Sequence, residues 1–210
     1  MITKNVLQIS LNPPKDNVIK LIKKYFPDWD YYHFNDEKII EYFKNNPLKE
    51  FPNCINRFNE LPIGAWKADL FRYYFLYING GVFIDDDAMI HYNINDIIKD
   101  YSGVFIKSNF FESLGFEHIF NGFIYITPKH PIMYQALKHI YKLEIKYIDN
   151  YQVFCIELLK IINKLKIDNI KIFNETIKKE DNKLKSIILD DNGNKLLTHY
   201  FEKKIIDEDH

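Results

Sequence analysis

The stretch from Ile63 to Ile78 has no Pro and, after Gly64, no Gly, and it is apolar or aromatic nearly all the way round. A helix of about four turns without a continuous polar face has to be covered on most sides, so it belongs inside the fold. Gly80-Gly81 ends it, because glycine readily takes the left-handed conformation that closes a helix. Val82-Phe83-Ile84 then reads as a short buried strand running directly into Asp85-Asp86-Asp87. A buried helix followed by a tight stop and an acidic strand end leaves few architectures open.

The flanking segments narrow them further. Val6-Leu7-Gln8-Ile9 predicts a first strand, and Val18, Leu21, Ile22, Tyr25 and Phe26 recur at helical spacing until Pro27. Asp30 to Phe34 is short and aromatic-rich, as suits a second strand, and Asn35-Asp36 caps a helix carrying Ile39, Ile40, Tyr42 and Phe43. Strand, helix, strand, helix is the signature of an α/β fold with a mainly parallel central sheet and ligands at the strand carboxyl ends. Further strands are expected over Gly103–Lys107 and Phe123–Thr127, and helices over Pro131–Tyr147 and Gln152–Leu165. Asp191-Asn192-Gly193-Asn194 supplies the turn of a hairpin between Ser186 and Leu197. No repeat, linker or shift of composition divides residues 1–210, so one domain is expected.

Charge and cysteine usage exclude several classes. Lys and Arg number 28 against 29 Asp and Glu, for a net charge of −1, which gives no basic face for nucleic acid or a membrane surface. The two cysteines, Cys54 and Cys155, have neither CxxC nor metal-knuckle spacing. A disulfide scaffold is therefore out and a reducing, cytoplasmic setting is expected. The start lacks the basic and apolar regions of a secretory signal, and no run approaches the ~20 apolar residues of a membrane span.

Two constellations carry chemistry. In an extended strand end, Asp85 and Asp87 share a side while Asp86 points away. Two such carboxylates repel unless a cation lies between them, and oxygen ligands suit Mg²⁺ or Mn²⁺. A calcium loop beginning at Asp85 is disfavoured, since Met89 and Ile90 stand where it needs an oxygen ligand and a Gly. Asp69 and Arg72, three apart on the helix, share a face with Ala65, Ala68 and Leu76. On a helix so largely buried, such a pair needs partners or a polar cleft. Arg72 offers a planar donor fork for phosphate or carboxylate, and Asp69 an acceptor for sugar hydroxyls.

Together, Ala65-Trp66-Lys67-Ala68-Asp69-Leu70-Phe71-Arg72, Leu76-Tyr77 and Gly80-Gly81-Val82-Phe83-Ile84-Asp85-Asp86-Asp87 resemble the core motif of DXD glycosyltransferases, in particular glycosyltransferase family 32. The close match spans roughly residues 63–90. Weaker echoes lie in Leu7-Gln8-Ile9-Ser10, His33-Phe34-Asn35-Asp36, Asn121-Gly122-Phe123 and Pro128-Lys129-His130-Pro131. The resemblance implies a GT-A-like, Rossmann-type fold, a metal-dependent transfer from a UDP- or GDP-sugar to a glycan or glycoprotein, and retention of anomeric configuration. Asp87 would then hold Mn²⁺ or Mg²⁺, Asp85 would lie against the ribose and sugar, and Asp69 and Arg72 would hold sugar and diphosphate. Gln8, Ile9, Ser10, Asn35, Phe83 and Asn121 are the other positions implied to line the nucleotide-sugar site.

The sequence departs from the family at Ser10, where the family has a Trp near the base, with UDP-sugar kept as the favoured donor. Asn150-Tyr151-Gln152-Val153 replaces a Thr-Gly-Pro segment, and Thr198-His199-Tyr200 stands where a His-rich end can supply a metal ligand, His199 here. Two alternatives remain at this point. One is a haloacid-dehalogenase-type phosphatase using Asp85 and Asp87, with Asp190-Asp191 as its later acidic pair. The other is a non-catalytic domain that binds nucleotide sugars or glycans.

Overall fold

The computed structural model describes residues 3–62, 64–108, 116–144, 152–180 and 183–200. It opens with the expected alternation: β1 (Asn5–Ile9), α1 (Asp16–Tyr25), β2 (Asp30–Phe34) and α2 (Asp36–Asn45). The Asn35 side chain accepts from Lys38 N at 3.1 Å, which satisfies one of the free amides at the start of α2. A short helix that the sequence reading did not anticipate, α3 (Cys54–Glu60), precedes α4 (Gly64–Asn79). Ile63, the expected first residue of α4, lies outside the described residues.

Helix α4 is buried at Trp66 and from Asp69 through Leu76. Its end is closed by Gly80, whose φ is +63° and whose N–H donates to Leu76 O at 2.9 Å. Gly81 follows at φ +109° and starts β3 (Gly81–Ile84). A Cβ at Gly81 would sit 2.3 Å from the backbone oxygen of Asn5, so the reversal into β3 needs glycine for both conformation and space.

The remaining elements are β4 (Ala88–Ile90), α5 (Ile94–Ile98), β5 (Gly103–Ser108), β6 (His118–Ile126), α6 (Pro131–Lys142), α7 (Val153–Leu165), β7 (Ile170–Glu180), β8 (Lys183–Leu189) and β9 (Lys195–Tyr200). Strand β6 begins well before the expected Phe123: His118 and Ile119 pair with Ser108 and Lys107 of β5, and Asn121 lies in the irregular stretch before Ile124 pairs with Phe105. Helix α6 is capped at Leu143, whose N–H reaches His139 O at 2.9 Å; the expected continuation to Tyr147 runs into residues outside the description. The hairpin forms as the turn residues predict, with Asp190 Oδ1 accepting from Asn192 N and Asn194 N.

The nine strands run in the order β2-β1-β3-β6-β5-β7-β8-β9-β4. Parallel pairing is confined to β2–β1–β3 and to β5–β7. The other pairings are antiparallel, so the mainly parallel sheet expected from the opening elements gives way to a mixed one. The reason is β6, which runs back between β3 and β5, followed by hairpin connections from β7 onward. Alternate residues of β3 feed two cores. Phe83 joins the cluster beneath α4, α6 and α7, while Val82 and Ile84 join the opposite cluster with α1 and α5. The sheet curls until β9 returns beside the end of β3.

Candidate active site

That curl assembles a site from parts distant in sequence. Asp85 N donates to Gly122 O of β6 at 2.9 Å, and Ala88 N donates to Asp85 O at 3.2 Å, so the triplet turns sharply at the end of β3. Gln8, fully buried on β1, fixes the turn from the other side: its Nε2 donates to Asp85 O at 3.3 Å while its Oε1 accepts from Tyr31 Oη at 2.8 Å. Beyond the turn, β4 pairs Ala88 with His199 of β9. His199 Nε2 thereby lies 3.4 Å from Asp87 Oδ1, with its ring 4.7 Å from that of Phe120. Asp85, Asp87 and His199 offer ligand atoms that all lie within 4.8 Å of one another.

On the α4 side the Arg72 guanidinium is buried and multiply held. Its Nη1 lies 3.1 Å from Asp69 Oδ1 and donates to Asn121 O at 2.5 Å, and its Nη2 lies 3.6 Å from Asp85 Oδ1. Its flat face stacks on the Phe83 ring, 3.7 Å from the centroid. Asn121 Nδ2 in turn donates to Asp69 Oδ1 at 3.0 Å and to Tyr73 Oη at 2.8 Å. A buried ion pair is retained only when its remaining lone pairs and protons are satisfied, and this network does that for Asp69.

Electrostatics divide along the same lines. Burial pushes the Asp69 carboxyl up to about 6, with Arg72 and the Asn121 hydrogen bond pulling against it. Asp85 is also raised, by burial first and then by the neighbouring Asp87 and Asp86, against the pull of Arg72 and His199. For His199, burial lowers the pKa, but the hydrogen bond and charge of Asp87, with Asp85 and Glu175 behind them, outweigh it and leave the imidazole raised. Two carboxyls and one imidazole form a donor set suited to a divalent cation such as Mn²⁺.

The site opens into a cleft of about 350 Å³ lined by Arg72, Asp85, Asp87, Asn121 and His199, together with Ala65 and Ala68 of α4. Asp69 does not reach its wall; it stands behind Arg72, 3% exposed. Phe83 is fully buried beneath the guanidinium. Gln8 and Ile9 lie at the end of β1 behind the acidic turn, whereas Ser10 bonds His33 Nε2 at 2.9 Å and Asn35 caps α2; none of these four lines the cleft. The Thr-Gly-Pro counterpart is only partly described: Asn150 and Tyr151 lie outside the described residues, while Gln152 lines the cleft. Ser108, His118, Gly122, Cys155 and Glu175 also line it, and the sequence reading named none of them as site residues apart from Gly122 within its Asn-x-x echo. Nothing local marks them, since none belongs to a short motif and they come together only through strand pairing and helix packing. Asp190 and Asp191, the later acidic pair of the phosphatase alternative, sit in the β8–β9 turn, where Asp191 pairs with Lys171.

Residues 15–104 match the family described as glycosyltransferase sugar-binding region containing DXD motif. Over these residues the chain is similar to DXD-motif glycosyltransferases. Among similar proteins, inositol phosphoceramide mannosyltransferase 1 of Schizosaccharomyces pombe is 27% identical over 138 residues, covering 64% of this chain and 40% of that protein. The initiation-specific alpha-1,6-mannosyltransferase of Saccharomyces cerevisiae is 36% identical over 66 residues, 31% of this chain and 14% of that protein. The matches span under half the length of these relatives. In three dimensions it resembles the PaToxG glycosyltransferase, with a TM-score of 0.55, 15% identity, and coverage of 78% of this chain and 70% of that one. The fold is of the GT-A type. No helix among the described residues is long and apolar enough to cross a membrane.

Proposed function

We propose that this domain transfers a hexose from a nucleotide-sugar donor to a hydroxyl of a glycan or glycoprotein, with a divalent cation and with retention of configuration. The observation that carries this reading is the convergence of Asp85, Asp87 and His199 within 4.8 Å, beside the buried Arg72 fork, in one cleft at the strand ends. Asp85, Asp87 and His199 would hold Mn²⁺ or Mg²⁺, which when bound supplies charge neutralisation for a nucleoside diphosphate leaving group.

The residues of the chain have separable tasks under this reading. Arg72 orients the Asp85 carboxyl through Nη2 and presents that same edge to diphosphate oxygens in the cleft. Asp69 and Asn121 act as positioning residues, since they hold the guanidinium flat against Phe83. Gln8 fixes the backbone of the acidic turn. Electrostatic groups arranged before the substrate arrives stabilise developing charge without reorganising during the reaction. Two relatives are named mannosyltransferases, so a mannose donor belongs beside the UDP-hexoses as a candidate.

The test is release of nucleoside diphosphate by the purified chain from a panel of UDP- and GDP-hexoses with Mn²⁺. One donor should be turned over, EDTA should abolish the release, and added Mn²⁺ should restore it. Asp87→Asn, which keeps the side-chain size but loses a full negative charge, should lower release by at least about 100-fold, as expected when a hard cation loses a carboxylate ligand. Full release in EDTA would refute metal dependence. Donor binding without turnover in the presence of candidate acceptors would indicate a binding module instead.

A further inference from the structure

Besides Asp85, Asp87, His199 and Arg72, the cleft is lined by Ser108, His118 and Glu175. These three come from neighbouring strands β6, β5 and β7. Ser108 pairs directly with His118, and Glu175 lies one step past the Lys107–Asn174 pairing of β5 with β7. They form a polar row across the sheet, and each is at least nine-tenths buried. Ile106 and Phe173, two residues before Ser108 and Glu175 on their strands, belong to the same apolar cluster, so the row caps an otherwise hydrophobic face.

Glu175 is the acidic member of this row. Its Oε2 is buried and has no hydrogen-bond partner among the described residues, although the side chain lines the cleft. A buried acceptor left unmade is costly, so such a group calls for an explanation. Asp69, the carboxyl that the sequence offered for sugar hydroxyls, is shut behind Arg72 with Oδ1 engaged by Arg72 and Asn121. Glu175 is a carboxyl that does reach the wall of the cavity. Glu175 and His199 line the same cleft.

We propose that the Ser108–His118–Glu175 row is a carbohydrate-hydroxyl subsite in which Glu175 accepts from a sugar ring bound next to the metal site. The proposal rests on the transferase reading and deepens it. A carboxyl accepts from one or two hydroxyls of a pyranose, the serine hydroxyl donates or accepts, and the imidazole adds a further polar contact. The sugar is that of the donor or that of the acceptor; the chemistry is shared, and the experiment separates them.

Calorimetric titration in Mn²⁺ compares the wild type with Glu175→Ala and Glu175→Gln, using UDP, GDP, the UDP- and GDP-hexose panel, and simple methyl hexosides in the presence of the nucleoside diphosphate. If the donor sugar occupies the row, Glu175→Ala weakens the nucleotide sugar about tenfold or more, the size expected for a hydrogen bond to a charged group. The free nucleoside diphosphate should bind as before, and Glu175→Gln, which keeps one acceptor oxygen, should fall between. If the acceptor sugar occupies it, donor affinity stays unchanged and methyl hexoside affinity drops by a similar factor. A purely structural role would move the nucleoside diphosphate together with its sugar, and that result would overturn the proposal. So would unchanged affinity for every sugar probe in both variants. A wild type that binds no nucleoside diphosphate at all would instead refute the transferase reading itself.

Discussion

Replacing Arg72 with lysine separates charge from geometry at the centre of the site. The guanidinium makes a 3.1 Å ion pair with Asp69, a 2.5 Å hydrogen bond to Asn121 O, a 3.6 Å contact with Asp85 and a stack on Phe83. A lysine ammonium keeps the charge and one of these contacts, that to Asp69. Loss of a charge-assisted hydrogen bond costs about 1.5–3 kcal/mol. Loss of a desolvated stack on an aromatic face adds about 1–2 kcal/mol. The expected destabilisation is therefore about 3–5 kcal/mol, within the 5–15 kcal/mol or so that holds a typical domain folded. For a chain of this size that lowers Tm by about 10 °C. Because Nη2 also faces Asp85 and the cleft, kcat/KM for nucleoside diphosphate release should fall about 100-fold, equivalent to about 2.7 kcal/mol of transition-state stabilisation. Scanning calorimetry gives the first quantity, and initial rates taken well below the variant's Tm give the second. Arg72→Met should be the more damaging, since it leaves Asp69 buried without its cation. An Arg72→Lys protein within about 1 °C and twofold of the wild type would show that the planar fork is dispensable, contrary to the geometry.

Two further outcomes follow from the same structure. Gly81→Ala should destabilise by about 2 kcal/mol or more, because the site combines a φ of +109° with a Cβ placed 2.3 Å from Asn5 O; denaturant midpoints check this, and a neutral result would contradict the tight approach of β3 to β1. Stability should also decline as pH rises from about 4 to about 6. Asp69 is raised from 3.8 to about 6 in the folded protein, so the folded state holds a proton that the unfolded chain has released, and the advantage is lost on passing the folded value. A shift of this size corresponds to at most about 3 kcal/mol. Asp69→Asn should flatten the slope across that window, and an unchanged slope would remove Asp69 as its source.

How much of this was readable from sequence depends on the range of the signal. The burial of α4, its closure at Gly80-Gly81 and the run of β3 into the acidic triplet were all legible, because helix periodicity, glycine conformation and strand length are properties of neighbouring residues. Asp69 and Arg72 could be placed on one face by the same local geometry. The order of side chains in depth could not: that Arg72 lines the cleft and Asp69 stands behind it was decided by Asn121 and Phe83, which arrive from β6 and β3. The direction of β6 was equally hidden, since a strand's sequence pattern repeats every two residues whichever way it runs. His199 meets Asp87 because β9 pairs with β4 across the curled sheet, and Glu175 reaches the cleft because β7 lies parallel to β5. The amino-acid sequence alone set the motif and the elements that bear it. Long-range strand pairing, where hydrogen-bond register brings together residues with no local relation, set the meeting of His199 with Asp85 and Asp87, the wall of the cleft and the buried carboxyl of Glu175 within it.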